Sequence, residues 1–152
     1  MKRILVVDDD SRIASALAIR LEAAGYEVLT AINGLEGIDL VLNQKPDLII
    51  MDIWMPVGIG FSVAQRLRSL GLAGIPIIFM TASKLKGLKH AALKLGAAGF
   101  FEKPYEPEEL LRAVSDALAT KAVKNSSLSL NGLKSATATP ELQHEQNTHH
   151  RR

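Results

Sequence analysis

Cysteine is absent from this 152-residue chain. That excludes disulfides, thiolate nucleophiles, iron–sulfur clusters and cysteine-bound zinc. Long apolar runs are also absent: nothing approaches the ~18 residues that a membrane-spanning helix needs. The apolar run after Met1-Lys2-Arg3 is too short for a signal peptide and ends in three aspartates. A soluble, cytoplasmic protein is the default expectation. A large net charge is missing too. Eighteen basic residues face sixteen acidic ones, a net of +2, too little to imply nucleic-acid binding. The excess sits at the C-terminal end: residues 1–123 hold 14 basic and 14 acidic groups, residues 124–152 four and two. The length is too short for a TIM barrel, which takes about 250 residues. Apolar residues make up 47% and charged residues 22%, which is the composition of one globular domain with a core of its own.

What the sequence does have is alternation. Five β-like runs, Arg3–Asp8, Tyr26–Ala31, Leu48–Asp52, Ile75–Met80 and Ala98–Phe101, are separated by segments with helical spacing. The apolar stripes are Ile13/Leu17/Leu21, Leu35/Ile38/Leu42, Phe61/Ala64/Leu67/Leu70, Leu85/Leu88/Ala92/Leu95 and Leu110/Leu111/Val114/Leu118. Gly25 and Gly96 stand where helices end, and Asn33-Gly34 where one begins. Pro107 falls in a first helical turn, and Asp10 or Ser11 can cap the first helix. Such alternation predicts an α/β fold: a parallel sheet with right-handed crossovers, its strands buried on both faces. After Val123 the period stops. Residues 124–152 are rich in Ser, Thr, Asn, Gln and His, and we expect a polar, disordered or weakly ordered tail there.

In a doubly wound sheet, ligands bind beyond the carboxyl ends of the strands. The residues there are Asp8-Asp9-Asp10 after strand one, Asp52 after strand three, Thr81 after strand four and Lys103-Pro104 after strand five. Each has a bland reading alone: a helix cap for Asp10, a turn residue for Thr81, a solvated charge for Lys103. Together they are harder to dismiss. Carboxylates crowded at one edge repel unless a cation is present, and an oxygen-only donor set suits Mg²⁺. A carboxylate beside Mg²⁺ can attack a phosphoryl group, while a lysine and a hydroxyl hold its oxygens.

At these residues the chain resembles the response-regulator receiver domains (CheY-like) of two-component signalling. The resemblance rests on Ile4-Leu5-Val6-Val7-Asp8-Asp9-Asp10 and on the run from Asp47 to Pro56. It rests further on Ile75-Pro76-Ile77-Ile78-Phe79-Met80-Thr81-Ala82 and on the run from Gly96 to Pro104. It implies a doubly wound five-stranded parallel sheet with five helices, flavodoxin-like, in the order 2-1-3-4-5. It implies Asp52 as phosphoacceptor, with Mg²⁺ held by Asp8, Asp9, Asp52 and the backbone carbonyl of Trp54. Lys103 would pair with Asp52 and later with the phosphoryl group, and Thr81 would donate its hydroxyl to a phosphoryl oxygen. Phe100 would be the switch aromatic, and Lys103-Pro104 a cis bond, cheap for an X–Pro pair. Asp10 is read as a cap rather than a site residue.

Two departures from the family pattern stand out. Val57-Gly58-Ile59-Gly60 follows Met55-Pro56, with Ile59 where a polar residue is usual, so this loop is expected to bear on partner choice. Trp54 and Ser83 lie two residues after Asp52 and Thr81, where the family tunes the lifetime of its phosphoryl group. Bulky Trp54 is expected to hinder the attacking water.

The resemblance implies a signalling phosphoprotein whose only chemistry is self-catalysed phosphoryl transfer and its own dephosphorylation. The donor would be a sensor histidine kinase or a phosphotransfer protein. The response would be a shift of the face formed by helix four, strand five and helix five, read by a downstream protein or by a second copy in a homodimer. Lys84, Lys86, Lys89, His90 and Lys94 make helix four basic; this reads as a solvated surface or a docking patch. The expected division is a receiver domain over 1–123 and a tail over 124–152, with no DNA-binding domain expected. One alternative is a receiver fold used as a constitutive protein-binding module. An aspartyl-type phosphatase fits poorly, because Arg12 stands where that motif has Thr or Val and Asp52 is left unexplained. Gly58-Ile59-Gly60 is no dinucleotide fingerprint, since position 63 is Val63.

Overall fold

Aliphatic and β-branched runs become the five strands. In the computed structural model, which describes residues 1–55 and 60–136, they are β1 (Arg3–Val7), β2 (Glu27–Ala31), β3 (Leu48–Asp52), β4 (Ile77–Thr81) and β5 (Gly99–Glu102). All pair in parallel, in the order β2-β1-β3-β4-β5. The helices between and after them are α1 (Ser11–Ala23), α2 (Gly34–Gln44), α3 (Gly60–Ser69), α4 (Leu88–Lys94) and α5 (Pro107–Ala136). This is the expected doubly wound, flavodoxin-like sheet.

Period-two alternation on the strands divides the core. Ile4, Val6, Ile50 and Met80 face α1 and α5, meeting Leu17, Leu21, Leu110 and Val114. Leu5, Val7, Met51 and Phe79 face the other layer, meeting Val41, Val63, Leu67 and Ala92. β3 is buried at all five positions, as a central parallel strand should be. This rigid centre carries Asp52 at its carboxyl end.

The helix ends follow local chemistry. The Asp10 carboxylate accepts from the N–H groups of Arg12 and Ile13 and caps α1. Asn33 caps α2 by accepting from the Glu36 N–H at 2.9 Å. Gly25 and Gly96 follow α1 and α4 at φ 96° and 76°, the left-handed turn that glycine enters at little cost.

Three expectations need correction. Of the α2 stripe Leu35/Ile38/Leu42 only Ile38 packs against the core: Leu35 and Leu42 are exposed, and the buried positions are Gly34, Gly37 and Val41. A Cβ on Gly37 would lie 3.1 Å from Val7 Cγ2, so backbone contact, not side-chain size, sets this face. Leu85 precedes α4 and is exposed, and Leu70 on the third stripe is exposed too. The ordered helix also does not end at Val123. α5 continues through Ala136, and within it the Ser126 and Ser127 hydroxyls donate to the Ala122 and Val123 carbonyls. The loop at 56–59, with Pro56, and the tail at 137–152 lie outside the described residues.

Candidate functional site

The site is built at the carboxyl edge of three strands. β1 stops at Val7, leaving Asp8 and Asp9 just beyond it, and β3 and β4 end in Asp52 and Thr81 themselves. Asp8 is held from both sides. Its N–H donates to the Ala31 carbonyl at 3.0 Å, and its carboxylate accepts from the Asp10 N–H at 2.9 Å. Asp10 therefore caps α1 and, through its backbone, orients Asp8. The sequence reading gave it only the first task.

Asp52 is held as firmly. Its Oδ1 accepts from the Trp54 N–H at 3.2 Å. Behind it the backbone of α3 comes very close: a Cβ on Gly60 would stand 2.6 Å from the Asp52 carbonyl oxygen. The Gly60 N–H donates to the Ile53 carbonyl at 2.7 Å. Glycine is thus required where α3 begins, and the carbonyl side of Asp52 is fixed by it.

Lys103 arrives from beyond β5, on a cis Lys103–Pro104 peptide. Its Nζ lies 2.8 Å from Asp8 Oδ2 and 3.1 Å from Asp52 Oδ2. Asp8 is 1% exposed and Asp52 7%, so this ammonium is the compensating charge for two buried carboxylates. Sequence reading paired Lys103 with Asp52; the shorter contact is to Asp8. The Lys103 N–H also donates to the Thr81 carbonyl at 2.8 Å, tying the β5 loop to β4.

Burial raises the Asp52 pKa above its ordinary value, with the Asp8 charge adding to the rise; Lys103 and the Trp54 N–H pull the other way without cancelling it. Burial works against the Lys103 ammonium, but its hydrogen bonds and ion pairs with Asp8 and Asp52 outweigh that and raise its pKa.

Asp8, Asp9 and Asp52 bring one carboxylate oxygen each within 4.8 Å of one another, and Asp9 is the exposed member. Three hard oxygen donors with one side open to water fit Mg²⁺, which keeps part of its hydration shell. Thr81 is fully buried, and its Oγ1 accepts from the Ser83 N–H at 3.0 Å. Trp54, two residues after Asp52, is 43% exposed. Phe100 is half-buried and packs on the α2–α3–α4 side of the sheet, next to Phe79 in β4. A shallow groove of about 510 Å³, lined by Ile13, Leu17, Arg20, Pro104 and Tyr105, opens beside Lys103.

The profile of the response regulator receiver domain matches residues 4–115. The chain is 40% identical over 115 residues to the DNA-binding dual master transcriptional regulator RpaA of Synechocystis sp., covering 75% of this chain and 48% of that protein. It is 39% identical over 109 residues to the alkaline phosphatase synthesis transcriptional regulatory protein PhoP of Bacillus subtilis, covering 72% and 45%. It thus spans about half the length of these curated relatives. Among solved structures, a CheY-like receiver domain protein from Methanospirillum hungatei superposes with a TM-score of 0.77 at 30% identity, over 82% of this chain and 98% of the other. The response regulator TrrA of Thermotoga maritima, solved in complex with Mg²⁺ and BeF, gives 0.69 at 34% identity, over 77% and 99%.

Proposed function

The chain belongs to the response regulator receiver domain family of two-component signalling, and from that premise we propose that Asp52 is its phosphoacceptor. The observation that carries the proposal is the position of Lys103 Nζ, shared between Asp8 and Asp52 at 2.8 and 3.1 Å, with the oxygens of Asp8, Asp9 and Asp52 gathered beside it. This is a signalling domain and not a classical enzyme.

In the proposed reaction an Asp52 carboxylate oxygen attacks phosphorus as the bond to the donor nitrogen or oxygen breaks. The donor leaves with that bond's electron pair. The three carboxylates, with the Trp54 backbone carbonyl, would hold Mg²⁺, which supplies charge neutralisation for the phosphoryl oxygens. Lys103 moves from its carboxylate pair toward the new phosphoryl group. The buried Thr81 hydroxyl donates to one of its oxygens. Phosphorylation adds up to about two negative charges, and Thr81 and Lys103 supply the differential contacts that such a switch needs. Space vacated beside Thr81 then lets Phe100 turn inward. The change is read on α4, β5 and α5 by a downstream protein or a second copy. A histidine kinase or phosphotransfer protein is the natural donor, seated in the apolar groove beside Lys103.

The test is incubation of the chain with acetyl phosphate and Mg²⁺, followed by intact mass. The wild type gains one phosphoryl group and Asp52→Asn gains none. Equal gain in both, or no gain by a folded wild type, overturns the assignment. The second result would favour a constitutive binding module.

A further inference from the structure

α5 starts beyond β5, at the carboxyl edge of the sheet, and runs back toward the amino edge. At Lys121 it reaches the start of β3, where the lysine ammonium donates to the Asp47 carbonyl at 3.3 Å. The helix then continues through Ala136. Between it and the loops that lead into β4 and β5 lies a cleft of about 540 Å³, within the size range of small-molecule sites. It stands at the edge opposite Asp52 and shares no lining residue with the groove beside Lys103.

The two walls differ in chemistry. Every polar side chain in the lining stands on α5, whereas the loops opposite, 73–76 and 96–98, offer only Ala, Gly, Ile and Pro. No Phe, Tyr or Trp lines the cleft, so a nucleobase or other aromatic ring finds no stacking partner. The charge is uneven too: two ammonium groups, Lys121 and Lys124, against one carboxylate, Asp116. Lys121 is half-buried, and among the described residues its one hydrogen-bond partner is the neutral Asp47 carbonyl. Neither lysine forms an ion pair among the described residues. Taking an ammonium out of water without a counter-charge is costly. The helix dipole does not account for it, because cations are favoured only in the last turn and α5 runs on to Ala136. An anion in the cleft would supply the missing charge.

We propose that this cleft binds a free aliphatic carboxylate of medium chain length. Its carboxylate meets Lys121 and Lys124, and its chain lies along Ile75, Pro76 and Leu128. The aliphatic body suits the apolar loops, and the single negative charge suits the lysine pair. The inference rests on this cleft alone and holds whether or not Asp52 accepts a phosphoryl group.

The test titrates the full chain with monomeric decanoate by isothermal calorimetry, and locates the ligand by amide chemical shifts. Acetate, which has the head group alone, and decyltrimethylammonium, which reverses the charge, are the comparators. Lys121→Met/Lys124→Met removes both charges and keeps the side-chain length, and Lys124→Met alone spares the Asp47 contact. Lys89→Met/Lys94→Met removes two charges elsewhere, and circular dichroism establishes that each variant folds. We expect shifts at Ile75, Ala98, Lys124 and Leu128. We expect the double variant at the cleft, acetate and decyltrimethylammonium each to show binding at least about tenfold weaker, a difference of about 1.4 kcal/mol. Lys124→Met should fall between, and the α4 variant should match wild type. No binding by the wild type, equal loss in both double variants, no loss in either cleft variant, or equal binding of decyltrimethylammonium would each overturn the proposal. So would shifts clustered at Ile13, Leu17 and Tyr105, or sedimentation with phosphatidylglycerol vesicles without binding of free decanoate, which would make a membrane surface the ligand.

Discussion

Asp52 and Lys103 make opposite demands on the same few ångströms. Asp52 carries a raised pKa, because burial and the neighbouring Asp8 charge outweigh what Lys103 returns. The folded state therefore binds the Asp52 proton more tightly than the unfolded chain does. The resulting stability is present in full below the ordinary carboxyl pKa of 3.8 and is lost as pH rises through the folded value. At neutral pH the ionised carboxylate is a net burden on the fold. Asp52→Asn, which keeps the shape without the charge, should melt at a higher temperature than wild type at pH 7 in Mg²⁺-free buffer. The advantage should shrink as pH falls through the raised folded value and be gone by 3.8. Added Mg²⁺ should raise the wild-type melting temperature more than that of the variant. Differential scanning calorimetry with and without Mg²⁺ checks all three; a variant less stable at pH 7 contradicts the balance drawn here. Trp54 gives a second prediction at this scale. Trp54 is half-exposed, and its N–H holds Asp52. Trp54→Asn keeps the N–H and removes the ring, so the decay of the phosphorylated form should quicken about tenfold, roughly 1.4 kcal/mol of barrier. Decay is followed by intact mass after excess donor is removed, and an unchanged rate refutes the shielding role.

At the scale of elements, the site depends on how α3 meets β3. A Cβ on Gly60 would lie 2.6 Å from the Asp52 carbonyl oxygen and 3.1 Å from Ile53 Cα, and neither is a flexible side-chain tip that can yield. Gly60→Ala should therefore cost about 1–3 kcal/mol, as overpacking does, and should slow phosphorylation by displacing Asp52. Denaturant melts and acetyl phosphate kinetics test the two parts; wild-type values for both would show that α3 can retreat freely. The same physics explains where sequence reading succeeded and where it slipped. The strands were legible because their aliphatic runs are buried on both faces, and the caps at Asp10, Asn33 and Gly25 because each has one local task. The α2 face was misread because Gly37 has no side chain for a hydrophobic pattern to register. Its lack of one is what lets the helix touch Val7. Strand ends moved by one or two residues, so that Thr81 and Glu102 belong to β4 and β5. Pairing across the sheet, not local propensity, decides those ends.

For the whole molecule, the topology converts four separated motifs into one site. Asp8, Asp52 and Lys103 are 44 and 51 residues apart in sequence, yet share one ammonium. Their convergence was legible because parallel strands must all end on one edge. The pairing of Lys103 with Asp8, and the second role of Asp10, were not, because spacing cannot rank two acceptors within reach of one donor. The continuation of α5 was hidden for another reason: Ser126 and Ser127 read as loop residues, but their hydroxyls return to the helix's own carbonyls. We propose that residues 1–123 form the receiver domain, since among the described residues the α5 side chains in the core cluster end at Leu118. A chain ending at Val123 should keep cooperative unfolding and phosphorylate at a rate within about twofold of the full chain, a difference of at most ~0.4 kcal/mol. Loss of either would extend the domain into the helix beyond.

The central claim is that one carboxylate, Asp52, takes the phosphoryl group. Reductive trapping with borohydride after acetyl phosphate and Mg²⁺ treatment converts a phosphorylated aspartate to homoserine, and peptide fragmentation then locates it. The account predicts homoserine at position 52 alone, and none when Mg²⁺ is withheld. Homoserine at position 8 or 9, or at 52 to the same extent without Mg²⁺, would contradict it.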